Sequence, residues 1–231
     1  MVSKLISIIV PAYNEEALLK EFLSEIIDFF NRKIPNYELL LIENGSQDKT
    51  LQIAKKFVLT NKRIKVFHLA KPAYGAALIF GMKKAKGDYL VIYNVDFWDR
   101  KFIELARVDL LGYDVVVGSK NLSGSEDRRP LGRRFVTKGF NFLLKILFGY
   151  KGTDSHGIKV LRRKTVMSIV KKCQTKTGIF DSEMMIRAQR AGRKILEVPV
   201  KVFEKRPNRF GYKRILTTPI DLVSLYFALK R

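Results

Sequence analysis

Leu5-Ile6-Ser7-Ile8-Ile9-Val10, followed by Pro11-Ala12-Tyr13-Asn14-Glu15-Glu16, decides how the rest of the chain is read. The first six residues form a short, apolar, largely β-branched run, the pattern of a strand buried on both faces. Pro11 is expected to end it. Asn14 then stands as the N-cap of a helix whose first turn carries Glu15 and Glu16, favourable at the positive end of the helix dipole. Leu18, Leu19, Phe22, Ile26, Phe29 and Phe30 recur at helical spacing and give that helix one apolar face.

Working outward, the same alternation repeats. Strands are expected over 37–42, 64–69, 88–93, 114–118, 157–161 and 195–200. Helices are expected over 47–58, 74–85, 133–148, 164–172 and 180–191, with Gly87 and Gly192 as stops. Strands alternating with helices predict an α/β fold, a mostly parallel sheet flanked by helices. Ligands of such sheets sit beyond the carboxyl ends of the strands. The segments to inspect are therefore 11–15, 43–48, 71–75 and 94–99.

Composition narrows the chemistry. Cys173 is the lone cysteine, which excludes a disulfide framework and a cysteine-built zinc site. His68 and His156 are the only histidines, so histidine-rich metal sites are disfavoured. Gly75 to Gly81 lacks the spacing and the Lys-Ser/Thr ending of a P-loop, and no G-x-G-x-x-G follows the first strand. The net charge is +22, unevenly spread. Residues 1–100 carry 15 basic and 11 acidic side chains, residues 101–231 carry 29 and 11. Such a field implies a polyanionic partner for the second half. No signal peptide and no run of about 18 apolar residues is visible. The apolar stretches 135–150 and 215–229 are interrupted by Lys138, Asn141 and Lys145, and by Pro219 and Asp221. They read as amphipathic helices.

Asn94 and Asp96 follow the fourth strand. In an extended segment they point the same way, and two oxygen ligands on one face suit a hard divalent cation shared with a diphosphate. The alternative is that Asp96 caps a helix starting near Phe97.

The order of the pieces resembles inverting family-2 glycosyltransferases. Val10-Pro11-Ala12-Tyr13-Asn14-Glu15 is similar to their V-P-x-Y-N-E opening, and Glu43-Asn44-Gly45-Ser46-Gln47-Asp48-Lys49-Thr50 to their D-D-G-S-x-D-x-T turn. Gly75-Ala76-Ala77-Leu78, Gly81 and Ala85-Lys86-Gly87-Asp88-Tyr89 resemble the next block, and Asn94-Val95-Asp96 stands at the D-x-D position. Gly118-Ser119-Lys120, 154–159, 180–183 and 197–200 are similar to the polyprenyl-phosphate (dolichol-phosphate) mannose and glucose synthase branch.

The resemblance implies a GT-A fold over 1–204, with a nucleotide-sugar half (1–100), an acceptor half (101–204) and a basic amphipathic tail (205–231). It implies transfer of a hexose from a GDP-mannose or UDP-glucose type donor to a polyprenyl or dolichyl phosphate, with inversion. Pro11, Ala12, Tyr13, Glu15, Glu43, Asp48 and Gly75 would hold the nucleotide. Asn94 and Asp96 would hold Mg²⁺ or Mn²⁺. Asn94 replaces an aspartate, which removes one negative charge and weakens the expected metal site. Trp98 and Glu43-Asn44 also depart from the pattern, and Asp99 is a candidate to compensate.

On the acceptor side, Arg133, Thr137 and Asn141 at four-residue steps match a family helix and share one face. With Lys120, Arg128 and Arg129 they are candidates for the acceptor phosphate. Asp96, Lys120, Arg133, Asp154 and Glu183 are the candidate catalytic residues. For Glu183 an ion pair with Arg187 at i+4 is the alternative. The helix from Arg133 is too apolar for one core-facing stripe, and Lys205 to Arg214 interleaves cations with aromatics. Both features point to an anionic membrane surface on the cytoplasmic side, with a small membrane-anchoring subunit as a further partner. Nucleic acid is not expected. The other readings are a related glycosyltransferase with a polysaccharide or protein acceptor, and a non-catalytic basic scaffold that binds anionic membrane or RNA.

Overall fold

The computed structural model describes residues 4–109, 112–203, 205 and 212–231. The chain runs β1 (Ile6–Ala12), α1 (Leu19–Lys33), β2 (Tyr37–Glu43), α2 (Thr50–Thr60), β3 (Ile64–His68), α3 (Tyr74–Lys84), β4 (Tyr89–Ile92) and α4 (Arg100–Asp109). It continues with β5 (Val115–Ser119), β6 (Glu126–Asp127), α5 (Leu131–Phe148), β7 (Ile158–Arg162), α6 (Arg163–Val170), α7 (Phe180–Arg190), β8 (Ile195–Pro199), β9 (Lys201–Val202) and α8 (Tyr212–Lys230).

β1 and β2 are buried at every position, as continuous apolar runs in a doubly covered sheet must be. The sheet order is β3-β2-β1-β4-β7-β5-β8. All neighbours are parallel except β7, which runs antiparallel to both β4 and β5. Two cores follow from the pleat. Ile6, Ile8 and Val10 face the layer of α1, α2 and α4. Ile9 faces the layer of α3, α5, α6, α7 and α8.

Two expectations at the opening are corrected. Pro11 does not end the strand, and β1 continues to Ala12 in register with Glu43. The Ile9 carbonyl accepts from Tyr93 and the Ala12 carbonyl from Asn44, so the alternation turns Pro11 toward β4, which has already ended at Ile92. No ladder bond is lost there. Asn14 does not cap α1, which starts at Leu19. It takes a left-handed backbone (φ 53°) and ties two loops together instead. The helix α4 starts at Arg100 rather than near Phe97, and the short parallel pair of β6 with β9 has no counterpart in the sequence reading. Asp99 starts α4: its Oδ1 accepts from the Phe102 amide at 3.2 Å and its Oδ2 from the Lys201 amide at 3.2 Å. Asp96 caps no helix, and Asp99 is committed to these amides.

Candidate active site

β1, β2 and β4 are parallel and end at the same edge, so their following loops converge. The loop 12–16 and the turn 43–50 interlock. Asn14 Oδ1 accepts from the Gln47 amide (2.9 Å) and the Asn14 amide donates to Ser46 Oγ (3.0 Å). The Glu15 amide donates to Thr50 Oγ1 (2.8 Å), the Glu16 amide to Asp48 Oδ2 (3.1 Å), and the Lys49 amide to Glu16 Oε2 (3.0 Å). Asp48 Oδ1 also accepts from the Thr50 amide at 2.9 Å. The hydrogen bonds to Thr50 and Glu16 outweigh what burial does to Asp48 and hold its carboxyl below the ordinary range. The turn is thereby fixed from both sides, with Pro11, Ala12 and Glu15 buried and the Tyr13 ring 42% exposed at its rim.

Glu43 sits differently from the expectation. It is fully buried, and its oxygens accept from the Ser46 amide and from His68 Nδ1, each at 2.5 Å. Burial alone would push its carboxyl up, but these bonds outweigh it and keep the group below its ordinary range. Glu43 therefore shapes the turn rather than offering an oxygen to solvent. Gly75 is likewise a packing residue. A Cβ there would lie 2.6 Å from Phe180 Cβ and 2.7 Å from the Thr177 carbonyl, so only glycine lets α3 meet the segment before α7.

The segment after β4 is a tight turn, not an extended pair. The Phe97 amide donates to the Asn94 carbonyl at 3.1 Å, and Asn94 and Phe97 form an isolated bridge. Asn94 and Asp96 are both half-buried at this turn. Trp98 turns away toward α1, donating to Glu25 Oε2 at 3.2 Å and packing edge-on against Phe29. Among the described residues no three of His, Cys, Asp and Glu converge into a metal cage. One carboxylate and one amide oxygen nevertheless fit a cation of the Mg²⁺ type, which keeps several waters and draws other ligands from substrate phosphates.

Lys120 lies next to this turn, its Nζ 5.7 Å from the Phe97 ring centre. The side chain is almost wholly buried and pairs with the buried Asp154 (Nζ to Oδ2, 2.6 Å). Asp154 also accepts from the Lys120 amide (3.2 Å) and, through Oδ1, from the His156 amide (3.0 Å). Burial pushes the Asp154 carboxyl up, but the Lys120 charge and these bonds prevail and hold it below the ordinary range. His156 is pinned at both ring nitrogens, by Ser155 Oγ (3.0 Å) and the Gly178 carbonyl (2.9 Å), and packs edge-on against Phe140 of α5.

Asn141 of α5 accepts from the Ser155 amide at 3.1 Å, which joins the helix face of Arg133, Thr137 and Asn141 to the same loop. The Arg129 guanidinium forks onto Asp127 (2.9 and 2.7 Å) and reaches Thr137 Oγ1 at 3.5 Å. Arg128 is exposed, 5.1 Å from the Phe203 ring centre. The structure thus brings Lys120, Asp154, Asn141, Thr137 and Arg129 into one continuous set of contacts, which borders the turn of Asp96 where Lys120 approaches the Phe97 ring.

Glu183 does not join it. Fully buried, it accepts from the amides of Gln174 and Thr175, from Thr175 Oγ1 and from Arg187 Nε (2.8 Å). It anchors the 174–175 loop and makes the ion pair with Arg187. Sequence reasoning also missed a crevice beside Asp96, formed with Arg100, Lys201, Phe203 and Lys205. Lys201 and Lys205 stand about a hundred residues further along the chain, with no local signal linking them to Asp96.

A doubly wound sheet, with loops converging at the β1/β4 switch point and an acidic turn after β4, defines a GT-A domain. Residues 7–169 match the model of glycosyl transferase family 2, and the chain belongs to that family. It is 27% identical over 239 residues to dolichyl-phosphate beta-glucosyltransferase ALG5C of Trichomonas vaginalis, covering 95% of this chain and 70% of that protein. It is also 27% identical to glycosyltransferase AglD of Haloferax volcanii, covering 84% of this chain but only 32% of AglD. Among solved structures, glucosyl-3-phosphoglycerate synthase of Mycobacterium tuberculosis with uridine diphosphate superposes with a TM-score of 0.69 at 18% identity, over 97% of this chain and 80% of that one. The same enzyme with Mn²⁺ and UDP-glucose gives 0.68 at 18% identity, over 97% and 78%.

Proposed function

We propose that this chain transfers a hexose from a nucleoside-diphosphate sugar to a polyprenyl or dolichyl phosphate, with inversion, at an anionic membrane surface. The observation that carries the reading is the convergence of the 12–16 loop, the 43–50 turn and the Asn94–Phe97 turn beside the Lys120–Asp154 pair. The relatives named for dolichyl-phosphate glucosyl transfer support the acceptor class and favour glucose over mannose.

In this reading Tyr13 and the backbone of the interlocked loops receive the base and ribose. Asn94 and Asp96 hold the divalent ion, Mg²⁺ or Mn²⁺, which neutralises the donor diphosphate when bound. A phosphomonoester has a second pKa near ~6 and is mostly dianionic at neutral pH, so it attacks without a strong general base. Its oxygen bonds to the anomeric carbon as the bond from that carbon to the diphosphate breaks, and the electron pair leaves with the nucleoside diphosphate. Two anions must meet for this to happen, which is where the cations act. Lys120, fixed by Asp154, supplies a stationary positive charge beside the turn. Arg128, Arg133 and Thr137 line the acceptor side, and Arg129 is held there by Asp127.

The reading is tested by incubating the protein with radiolabelled UDP-glucose or GDP-mannose, dolichyl phosphate and Mn²⁺. Label should pass into the organic phase and fall at least tenfold with a chelator. No lipid-extractable label from either donor would overturn it.

The membrane part rests on α5 and α8, which pack side by side. Among the described residues no helix is long and apolar enough to cross a membrane. The outer faces of these two helices are nevertheless apolar. Phe135 is 71% exposed and Ile220 70%, with Phe142, Ile146, Leu147, Val223 and Phe227 also exposed. Lys138 and Lys145 flank them, and each cation near an anionic surface adds about 1 kcal/mol. The protein should float with phosphatidylserine-containing vesicles at low salt. The double variant Phe142→Glu/Ile146→Glu should remain in the pellet fraction with an unchanged circular dichroism spectrum. Equal flotation of both proteins would remove α5 from the interface.

A further inference from the structure

The crevice beside Asp96 encloses about 190 Å³ between α1, the 96–100 turn and β9. That is small against the roughly 300–1,000 Å³ of sites that engulf a drug-sized ligand, and suits a headgroup. Its walls combine Trp98, Phe97 and Phe203 with the cations Arg100, Lys201 and Lys205 and with the carboxylates of Asp96 and Glu25, the latter accepting from Trp98 Nε1 at 3.2 Å. Arg100 stacks 5.3 Å from the Trp98 ring centre, and Arg128 borders the crevice through Phe203.

The commitments of these cations separate them from the ones expected to meet the acceptor. Lys120 and Arg129 pair with carboxylates that are themselves buried. Pulling a cation from a buried partner leaves an uncompensated charge and is costly. Lys201, 53% exposed, pairs with the half-buried Glu126, and Lys205, 36% exposed, with the exposed Glu21 at 3.2 Å. Pairs that water reaches in this way are weak and are readily exchanged for a dianion. We propose that this crevice is a phosphomonoester-binding subsite for the acceptor, with Lys201, Lys205 and Arg100 as its cations and Trp98 and Phe203 against the group that carries the phosphate. The assignment to the acceptor rests on the transferase reading above, whereas the phosphate site itself does not.

Trp98 is the only tryptophan of the chain, so fluorescence excited selectively at tryptophan, beyond tyrosine absorption, reports this crevice. Farnesyl phosphate, glycerol 3-phosphate and inorganic phosphate are titrated in turn at low salt, without donor. A saturable change is expected, weakened at least tenfold in Lys201→Ala/Lys205→Ala and retained in the equally charged control Lys55→Ala/Lys56→Ala on α2. Response to farnesyl phosphate alone assigns the site to a lipid headgroup, and equal response to all three assigns it to free phosphate. No change with any of them, or equal weakening in the control, overturns the proposal. In turnover, the Lys201→Ala/Lys205→Ala variant should raise the acceptor KM tenfold or more with the donor KM within twofold. An unchanged acceptor KM overturns the acceptor assignment. Absence of turnover in the unmodified protein would instead fell the transferase reading and leave the fluorescence result standing.

Discussion

Replacing Asp96 by alanine is expected to lower sugar transfer by about 10²–10³-fold, the usual cost of removing one preorganised stabiliser of developing charge. The fold should be spared, with the melting temperature within about 2 °C, because Asp96 stands half-buried in a turn outside every helix and named strand. The reason for the large effect is scarcity. Asp99, the nearest other carboxylate, accepts from the Phe102 and Lys201 amides, and Asn94 brings only a neutral oxygen. Asp96 is thus the single negative charge that the Asn94–Phe97 turn offers to a diphosphate-bound cation. The companion variant Asn94→Asp should tighten Mn²⁺ binding by restoring a charge, seen as a lower half-saturating metal concentration in the transfer assay. Full activity of Asp96→Ala would remove this turn from the donor site.

Breaking the Lys120–Asp154 pair is expected to give a large stability effect. Asp154→Asn leaves a buried ammonium without its counter-charge, a loss of about 3–5 kcal/mol, or on the order of 10 °C in melting temperature for a chain of this size. The pH dependence has a definite sign. The folded-state pKa of Asp154 lies below its unfolded value, so its contribution is complete above the unfolded pKa of about 3.9 and is lost as pH falls through the folded value. The gap between native protein and Asp154→Asn should therefore be full at neutral pH and should narrow in acid. The double variant Lys120→Met/Asp154→Asn should recover most of the stability, since both charges go together and the asparagine oxygen can still accept from a loop amide. Thermal melts from neutral pH down to acid settle the matter, and a gap independent of pH would refute the assignment.

The alternation of strands and helices could be read from local periodicity, and the observed elements lie within a few residues of that reading. The errors have physical causes. Pro11 looked like a stop because the early end of β4 at Ile92 is set by tertiary pairing. Asn14 looked like a cap because its partners, Ser46 and Gln47, lie across a loop. α4 starts three residues beyond Phe97 because Asp99, not Asp96, accepts from an amide of its first turn. The antiparallel course of β7 has no local signature.

At the site, the motif residues do gather at one edge, but spacing does not say which way a side chain turns. Glu43 turns inward to His68, Gly75 is filled by Phe180, and Glu183 is taken by Gln174, Thr175 and Arg187. For Glu43 and Gly75 the neighbour comes from an element distant in sequence, whereas the Arg187 partner of Glu183 lies at i+4 and was open to the sequence as an alternative.

The reversed direction of β7 carries a consequence for how this architecture diversifies. Because β7 opposes β5, residues 120–157 leave the sheet and return to it at the same rim. An excursion with both feet on one rim can vary in its loops without shifting any strand out of register, while α5 within it stays in place because Leu144 and Phe148 belong to the core. Changes of length in such a loop cost little conformational entropy, about 0.6 kcal/mol per doubling. Loops of different length on this rim can therefore reshape the surface beside the Asn94–Phe97 turn over an unchanged sheet.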